Sequence, residues 1–404
     1  MPVLLQINTE INYGSTGKIA EEIGHLAQIN GWESFVAFGR KKRKSTSKTI
    51  YFGNRLDTYL HVLRTRIFDT HGTGSKRTTK KLISEIEKIK PNVIHLHNLH
   101  GYYINLKYLF NYLEKKEIPI VCTLHDCWTM TGHCTHFENI KCNKWMTECH
   151  SCPQKNVYPQ SIFLDNSRKN YQLKKKYFLS LKNLTIVPVS FWLNNVVKQS
   201  FLKNHNTEVI LNGVDLSIFK PVLKNTIRKK NNLNGVFIIL GVASVWSENK
   251  GLNDFLKLSK LLTNNEKIVL IGLNKKQLKK LPSNILGIAR TESKEELAEW
   301  YSEADVYINT SVEESFGLTT AEAMSCGTPS IVYNATACPE MITPEVGIVA
   351  KKNNIDDLKK GIEVIKKNKS KSYLEHCKKR AVQFYDKNER YYEYINLYNK
   401  VKNS

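Results

Sequence analysis

No stretch of this chain stays apolar for the roughly 18 residues that a membrane-spanning helix requires. The longest candidate, residues 236–246, is interrupted by Gly241 and Ser244 and reads as a core strand. The chain opens without a basic segment ahead of its short apolar run, and Glu10 ends that run early. No secretory leader is therefore expected, and a cytoplasmic location is. There is no Asp-x-Asp pair anywhere. Acidic residues as a class are scarce: 37 Asp and Glu stand against 60 Lys and Arg, giving a net charge of +23. That excess points to an anionic partner such as nucleic acid, nucleotide or an anionic membrane. Its other source is a general abundance of Lys and Asn along the chain. The densest basic groups, Arg40 to Lys44 and then Lys76, Arg77, Lys80 and Lys81, fall in the first hundred residues, and a more diffuse Lys excess runs through the C-terminal end.

At 404 residues, 41% hydrophobic and 10% aromatic, the chain has material for two to three domains with ample core. Strand and helix patterns alternate in two series, which implies parallel sheets covered by helices. The first series predicts strands at 3–8, 34–38, 93–97, 120–124 and 185–188, with helices such as 18–30 and 78–90. The second predicts strands at 209–211, 237–241, 267–271, 285–288, 306–309 and 330–332, with helices at 252–262, 294–302 and 320–325. The fold class is α/β, with two doubly wound halves, an N-terminal domain over 1–190 and a C-terminal domain over 208–385. Ligands of such sheets bind beyond the carboxyl ends of the strands, so the active site is expected between the halves. A last helix over 386–404 is rich in tyrosine.

Glu314 and Glu322 are separated by Ser315, Phe316, Gly317, Leu318 and Thr319 and the start of a helix, directly after the strand that ends near Thr310. In a strand–loop–helix junction the first helical N–H groups can hold a phosphate. A carboxylate one to two turns further in can accept hydrogen bonds from sugar hydroxyls. Together these suit a nucleotide-sugar diphosphate.

The segment resembles the E-x7-E signature of the retaining family 4 glycosyltransferases, and its surroundings match as well, with 305–311 before it and Gly327, Thr328 and Pro329 after it. The resemblance covers nearly the whole chain. It implies the GT-B fold, two Rossmann-like domains facing across a cleft, with the C-terminal helix returning to the first domain. It implies that Glu314 and the amides of Phe316 to Thr319 hold the sugar and phosphates, and that Glu322 takes the ribose hydroxyls. Gly14 and Gly17, which follow the first strand, correspond to the loop facing the donor phosphates and acceptor. His125, just past the strand at 120–124, corresponds to the family's histidine near the donor sugar. Asn212 to Asp215, with Phe219 and Pro221, match the family's hinge-side motif. Lys250 opens a helix where a cation neutralises the diphosphate. Family members usually place an Arg a few residues before that Lys, and here its counterpart is Ser244, which leaves more to Lys250 and to backbone amides. Without an Asp-x-Asp pair, no metal cofactor is expected for catalysis.

His97, Asn98 and His100, at another strand end, are expected to line the acceptor cleft, in preference to a metal site built on His95 and His97. Five cysteines crowd 127–153. Cys149 and Cys152 have the spacing of a zinc knuckle, and Cys134 and Cys142 complete a set of four for a structural zinc. Structural disulfides are not expected in a reducing compartment.

These observations predict a retaining, metal-independent glycosyltransferase. It would move a sugar from a nucleotide-diphosphate sugar to a saccharide or lipid-linked saccharide in cell-surface polysaccharide synthesis. Its location would be peripheral on the inner face of the cytoplasmic membrane, with the basic cluster including Arg64 and Arg66 docking anionic lipid. The rival enzyme reading is a nucleotide-sugar epimerase, whose inversion chemistry needs acid/base carboxylates in the first half that are not evident. The rival binding reading is a polyanion or nucleic-acid binder. It predicts aromatics interleaved with the basic runs, which are poor in them, so no nucleic-acid partner is expected.

Overall fold

Runs of Val, Ile and Leu with little alternation form the strands, as burial on both faces of a parallel sheet demands. The computed structural model describes residues 1–222, 224–368 and 371–403. The chain divides into two compact units. One comprises Met1–Ile210 together with the chain from Tyr391 onward; the other comprises Leu211–Arg390.

The first unit holds, in chain order, β1 (Val3–Asn8), α1 (Gly14–Ile29), β2 (Glu33–Phe38), β3 (Lys48–Tyr51), α2 (Arg55–Phe68), α3 (Lys76–Ile89), β4 (Val93–Leu96), α4 (Leu106–Leu113), β5 (Ile120–Leu124), α5 (Ser167–Ser180), β6 (Leu184–Pro188), α6 (Phe191–Gln199) and β7 (Asn206–Thr207). Its seven strands are all parallel, in the order β3-β2-β1-β4-β5-β6-β7. The second unit holds α7 (Thr226–Lys230), β8 (Phe237–Val242), α8 (Leu252–Leu258), β9 (Glu266–Ile271), α9 (Lys275–Leu278), β10 (Ile285–Ile288), α10 (Lys294–Glu303), β11 (Val306–Asn309), α11 (Leu318–Ser325), β12 (Ser330–Tyr333), β13 (Gly347–Ala350), α12 (Ile355–Lys367) and α13 (Lys371–Tyr385). Its sheet is also parallel, in the order β10-β9-β8-β11-β12-β13. Each sheet reverses its winding once, at β1/β4 and at β8/β11, and the loops above those points are where such folds bind ligands.

The expected strand at 209–211 is a correction. The segment is extended and makes single backbone hydrogen bonds, from Glu208 to Ile186 and from Ile210 to Pro188, but no ladder. The first unit therefore runs on to Ile210, through α6 and β7. The final helix, α14 (Lys387–Lys402), supplies Tyr391, Tyr394, Ile395, Leu397 and Tyr398 to a core shared with Leu4 of β1, Val93 of β4, Val121 of β5, Val187 of β6 and Ile19 and Ile23 of α1. Two tyrosine hydroxyls satisfy polar groups beneath. Tyr398 meets His95 Nδ1 at 2.6 Å, and Tyr394 meets Thr123 Oγ1 at 3.0 Å, with Thr123 also 2.7 Å from His95 Nε2.

This arrangement generates a stability test. Tyr398→Phe keeps the ring but leaves buried His95 Nδ1 without its partner, a loss of about 1–3 kcal/mol. Chemical denaturation should register that drop, while Tyr392→Phe, at an exposed position on the same helix, should leave the midpoint where it was. Equal midpoints for both variants would remove the bond from the account.

Candidate functional site

In the second unit the loops above the β8/β11 crossing converge on one charged pair. Lys250, at the end of a short 3-10 turn after β8, places Nζ 2.5 Å from Glu314 Oε1 in the loop after β11. Burial disfavours the ammonium, but Glu314 overrides this, and the Lys250 pKa rises. The lysine is anchored from below, where its carbonyl accepts from Thr310 Oγ1 at 2.9 Å. Next to the pair, Glu313 accepts from Asn249 Nδ2 at 2.7 Å. The Glu314 amide donates to Thr336 Oγ1 at 2.9 Å, which ties the loop to the turn after β12.

From Glu314 the chain enters α11 through Gly317, whose φ of 98° is left-handed and costs a side-chain-bearing residue more than glycine. The first N–H groups of a helix have no intrahelical acceptor. Tyr307 of β11 donates to Thr319 Oγ1 at 2.7 Å, and Asn309 donates to Thr320 Oγ1 at 3.1 Å, fixing the first turn of α11 from its own sheet. Ser315 is buried with its hydroxyl unpartnered, an orphan polar atom within the loop. Phe316 is buried in edge contact with Tyr385, at 5.8 Å between centroids. Half-buried Glu322, one turn further, accepts from the Tyr301 hydroxyl of α10 at 3.0 Å. Ser244 is exposed above β8. The structure thus brings Lys250, Glu314 to Thr319 and Glu322 together on two adjoining loops and one helix. Tyr301, Asn249 and Thr336, which help to hold them, carried no motif in the sequence, whereas Tyr307 lies in the 305–311 segment that did.

The first unit gathers histidines above β1, β4 and β5. Gln6 on β1 donates from Nε2 to Ala20 O at 2.8 Å, so its Oε1 faces His97 Nε2 at 3.0 Å. His97 Nδ1 in turn meets His125 Nε2 at 3.1 Å, with the two rings stacked. The fixed amide makes His97 a donor through Nε2 and an acceptor through Nδ1, so neutral His125 carries its proton on Nε2 and keeps Nδ1 as its acceptor. His97, expected to line a cleft, is instead buried with both nitrogens engaged, and it acts on His125 rather than on solvent. His100 pairs with Asp126 Oδ2 at 2.7 Å and with the Tyr158 hydroxyl at 3.1 Å. Asp126 also caps the Trp128 amide at 2.8 Å. Asn98 donates to Thr16 Oγ1 at 3.4 Å, joining the histidine loop to the turn from Gly14 to Gly17 that begins α1. Gln6 and the pairing of Asp126 escaped the sequence reading because their partners lie 91 and 26 residues away.

Cys134, Cys142, Cys149 and Cys152 line one small cavity and form no disulfide. Among the described residues no three His, Cys, Asp or Glu side chains are already arranged as a metal-binding group, and this includes His95 and His97. No helix among the described residues is long and apolar enough to cross a membrane.

With this geometry in view, two family models match the chain. Glycosyltransferase Family 4 matches residues 21–218 and Glycosyl transferases group 1 matches 224–384. The putative colanic acid biosynthesis glycosyl transferase WcaC of Escherichia coli K12 is 23% identical over 359 residues, 85% of this chain and 86% of that protein. The N,N'-diacetylbacillosaminyl-diphospho-undecaprenol alpha-1,3-N-acetylgalactosaminyltransferase of Campylobacter jejuni is 24% identical over 201 residues, 47% of this chain and 53% of that protein. Among solved structures, a sucrose-phosphate synthase of Thermosynechococcus elongatus superposes with a TM-score of 0.71 at 15% identity, covering 99% of each chain. Anabaena HepE in complex with UDP gives 0.70 at 14%, covering 99% of this chain and 100% of that one. At such identities the structural likeness shows the fold alone, and that fold is GT-B.

The histidine cluster yields a pH prediction. Burial lowers the pKa of His61 and of His125 to about 4, and holds His71, His95 and His97 well below the ordinary value. The unfolded chain takes up protons on these rings near pH 6.5, which the folded unit refuses. Their contribution to stability is complete above about 6.5 and declines as pH falls towards 4. His133 runs the other way: burial opposes its charge, but Asp69 at 2.6 Å outweighs this and raises its pKa. With six rings, half-buried His205 included, against one, the melting temperature should fall between pH 6.5 and 4 under constant ionic strength. A profile flat across that window would contradict the neutral assignment.

Proposed function

We propose a donor-to-acceptor sugar transfer for this chain, which belongs to the GT-B glycosyltransferases of the group 1 and family 4 type. The donor is a nucleotide-diphosphate sugar, and the observation that carries this reading is the Lys250–Glu314 pair beside the start of α11. A cation and a set of unpaired amides are what a diphosphate leaving group needs, since electrostatic stabilisation of developing charge is usually the largest catalytic contribution. Glu314 orients Lys250 in the resting state. When a diphosphate arrives, Lys250 gains a second anionic partner and Glu314 is freed to accept from the sugar. Glu322, steered by Tyr301, takes the ribose hydroxyls. His125, its tautomer set through His97 and Gln6, offers Nδ1 to a donor-sugar hydroxyl. Retention of anomeric configuration rests on the resemblance of the Glu314–Glu322 segment. Independence of a metal ion rests on Lys250 together with the missing Asp-x-Asp pair. A UDP donor is consistent with the ligands in the HepE structures.

For the acceptor we propose a saccharide on a lipid diphosphate in cell-surface polysaccharide synthesis, the class of substrate that the Campylobacter relative's name describes. On the first unit a cavity of about 920 Å³ is lined by Arg40, Lys41, Lys42, Arg43 and Arg55 with Tyr13 and Tyr51. Beside it, α2 carries Leu56, Tyr59, Leu60 and Leu63 at 66%, 65%, 53% and 43% exposure. This spacing of i, i+3, i+4 and i+7 puts them on one face. That face points to solvent while His61 and Thr65 point inward. Exposed Arg64 and Arg66 flank it. An outward apolar stripe with basic neighbours is the pattern of a helix lying in an anionic membrane interface.

Two experiments test these assignments. In a donor assay, Glu322→Ala should weaken nucleotide binding, and Glu314→Ala should mainly slow turnover. Each should cost roughly ten- to hundredfold, the worth of a charged hydrogen bond at about 1.5–3 kcal/mol. Full activity in both would remove the donor site from these loops. In vesicle sedimentation, the protein should bind anionic vesicles, lose binding in high salt, and lose it again in a Leu60→Glu, Leu63→Glu double variant, each nearby cation contributing about 1 kcal/mol. Binding indifferent to lipid charge and to the variant would exclude α2 as the dock.

A further inference from the structure

Between the end of β5 and the start of α5 the chain runs for about forty residues, a length at which an unstapled connection in a compact domain is uncommon. Short 3-10 turns at Trp128–Met130 and Lys144–Met146 are the regular structure it contains among the described residues. Its interior is nevertheless buried: Cys134, Phe137 and Trp145 are all nearly inaccessible, the two rings stacked at 4.6 Å. Cys134, Cys142, Cys149 and Cys152 line the cavity under those rings.

Three features surround the sulfurs. The sulfurs of Cys134 and Cys152 sit within hydrogen-bonding reach of each other. Backbone N–H groups are aimed at two of the four sulfurs, from Gly132 to Cys149 and from Gln154 to Cys152. A side chain at Gly132 would meet the Cys149 Cβ at 2.7 Å, so glycine is what lets that amide approach. Finally, the Lys174 ammonium of α5 is buried against the Trp128 ring, 3.9 Å from its centroid, and donates to Trp128 O at 2.5 Å. Among the described residues no carboxylate lies within ion-pair distance of it. Burial pushes its pKa down to about 7, and the groups that most oppose this are Cys149 and Cys134. An anionic counterpart would stabilise the buried ammonium, and neutral thiols do not supply one.

We propose that Cys134, Cys142, Cys149 and Cys152 form a structural tetrathiolate site for a zinc ion, with Lys174 as a nearby countercharge. Binding releases four thiol protons to solvent and leaves a centre of net charge −2, next to which the Lys174 ammonium is stabilised. The sulfurs as placed are held by hydrogen bonds rather than arranged around an ion, so binding replaces the Cys134–Cys152 contact and draws the four inward. The peptide N–H donors to Cys149 and Cys152 favour thiolate and orient it, as outer-shell donors do in metal sites. The zinc does no chemistry on substrate. It fixes the connection that follows His125 and Asp126, which has no sheet ladder to hold it.

The test is metal analysis of the full-length protein, purified under reducing conditions without chelator. About one zinc per chain is expected. Cys142→Ser and Cys149→Ser should each lose most of it, and Cys377→Ser, in the other unit, should keep it. Should the first two variants fail to fold, cobalt-exchanged wild type answers without them, because four thiolates on cobalt give intense sulfur-to-metal charge-transfer absorption. Wild type that holds no zinc and takes up cobalt without those bands overturns the proposal. So does a Cys134–Cys152 disulfide in the freshly isolated protein, or zinc retained in full by folded Cys142→Ser and Cys149→Ser.

Discussion

A parallel sheet must be covered on both faces, and most of this molecule follows from meeting that demand twice. Strands buried on both sides have no room for polar chemistry along their length, so the chemistry is displaced to the loops beyond their carboxyl ends. In the first unit the demand outlasts the elements that precede the second. The face made by Leu4, Val93, Val121 and Val187 is closed by residues from Tyr391 to Tyr398, the last helix of the chain. Because that helix is tyrosine-rich, it brings hydroxyls as well as rings. Those hydroxyls make His95 and Thr123 tolerable at full burial.

The two units solve the electrostatics of their loops in opposite ways. In the second, burial is answered by charge: Lys250 and Glu314 support each other, and the lysine is the more firmly protonated for it. In the first, burial is answered by neutrality. Rings are packed so closely, with His95 and His97 at 3.9 Å between centroids, that a proton on one penalises its neighbours. Asp126 is one exception, and the buried His133–Asp69 pair is another. Burial alone would raise the Asp126 carboxyl, yet the His100 imidazole at 2.7 Å and the Trp128 amide bring it down to about 2. A neutral His125 beside a charged Asp126 leaves little driving force for moving protons.

What could be read from sequence divides along physical lines. Central strands were legible because double burial writes itself as unbroken runs, as in β1, β5 and β11. Most edge strands were not: β3 carries exposed Lys48 and Tyr51, and β7 is two residues long, although β10 at the edge of the second sheet was placed at 285–288 as observed. The helix α11 begins at Leu318, two residues before the expected Thr320, because Gly317 supplies a left-handed cap that a propensity argument does not locate. Helix α2 escaped because its apolar stripe faces out, and amphipathic patterning is ordinarily read as pointing in. In the second unit, Lys250 and the Glu314–Glu322 loop were visible as a motif. In the first, His97 was placed on the right loop and given the wrong neighbour, since its burial depends on Gln6, which sequence distance conceals.

The net charge of +23 looks different once positions are known. Some of the charge in the second unit is locally paired: Lys359 and Lys366 converge on buried Glu266 and hold its carboxyl near 2 against the effect of burial, and Arg228 binds Asp305 and several carbonyls. The cluster from Arg40 to Arg43 in the first unit is different. Two of its members lie over the Tyr13 ring and the group rims an open cavity. Cations spent on internal carboxylates stabilise a fold and have little attraction left for a ligand, whereas cations around a cavity next to an exposed apolar helix face retain theirs. On the proposed reading, the Arg40–Arg43 cavity beside α2 is where an anionic surface would be held, while Lys250 in the second unit serves the donor diphosphate.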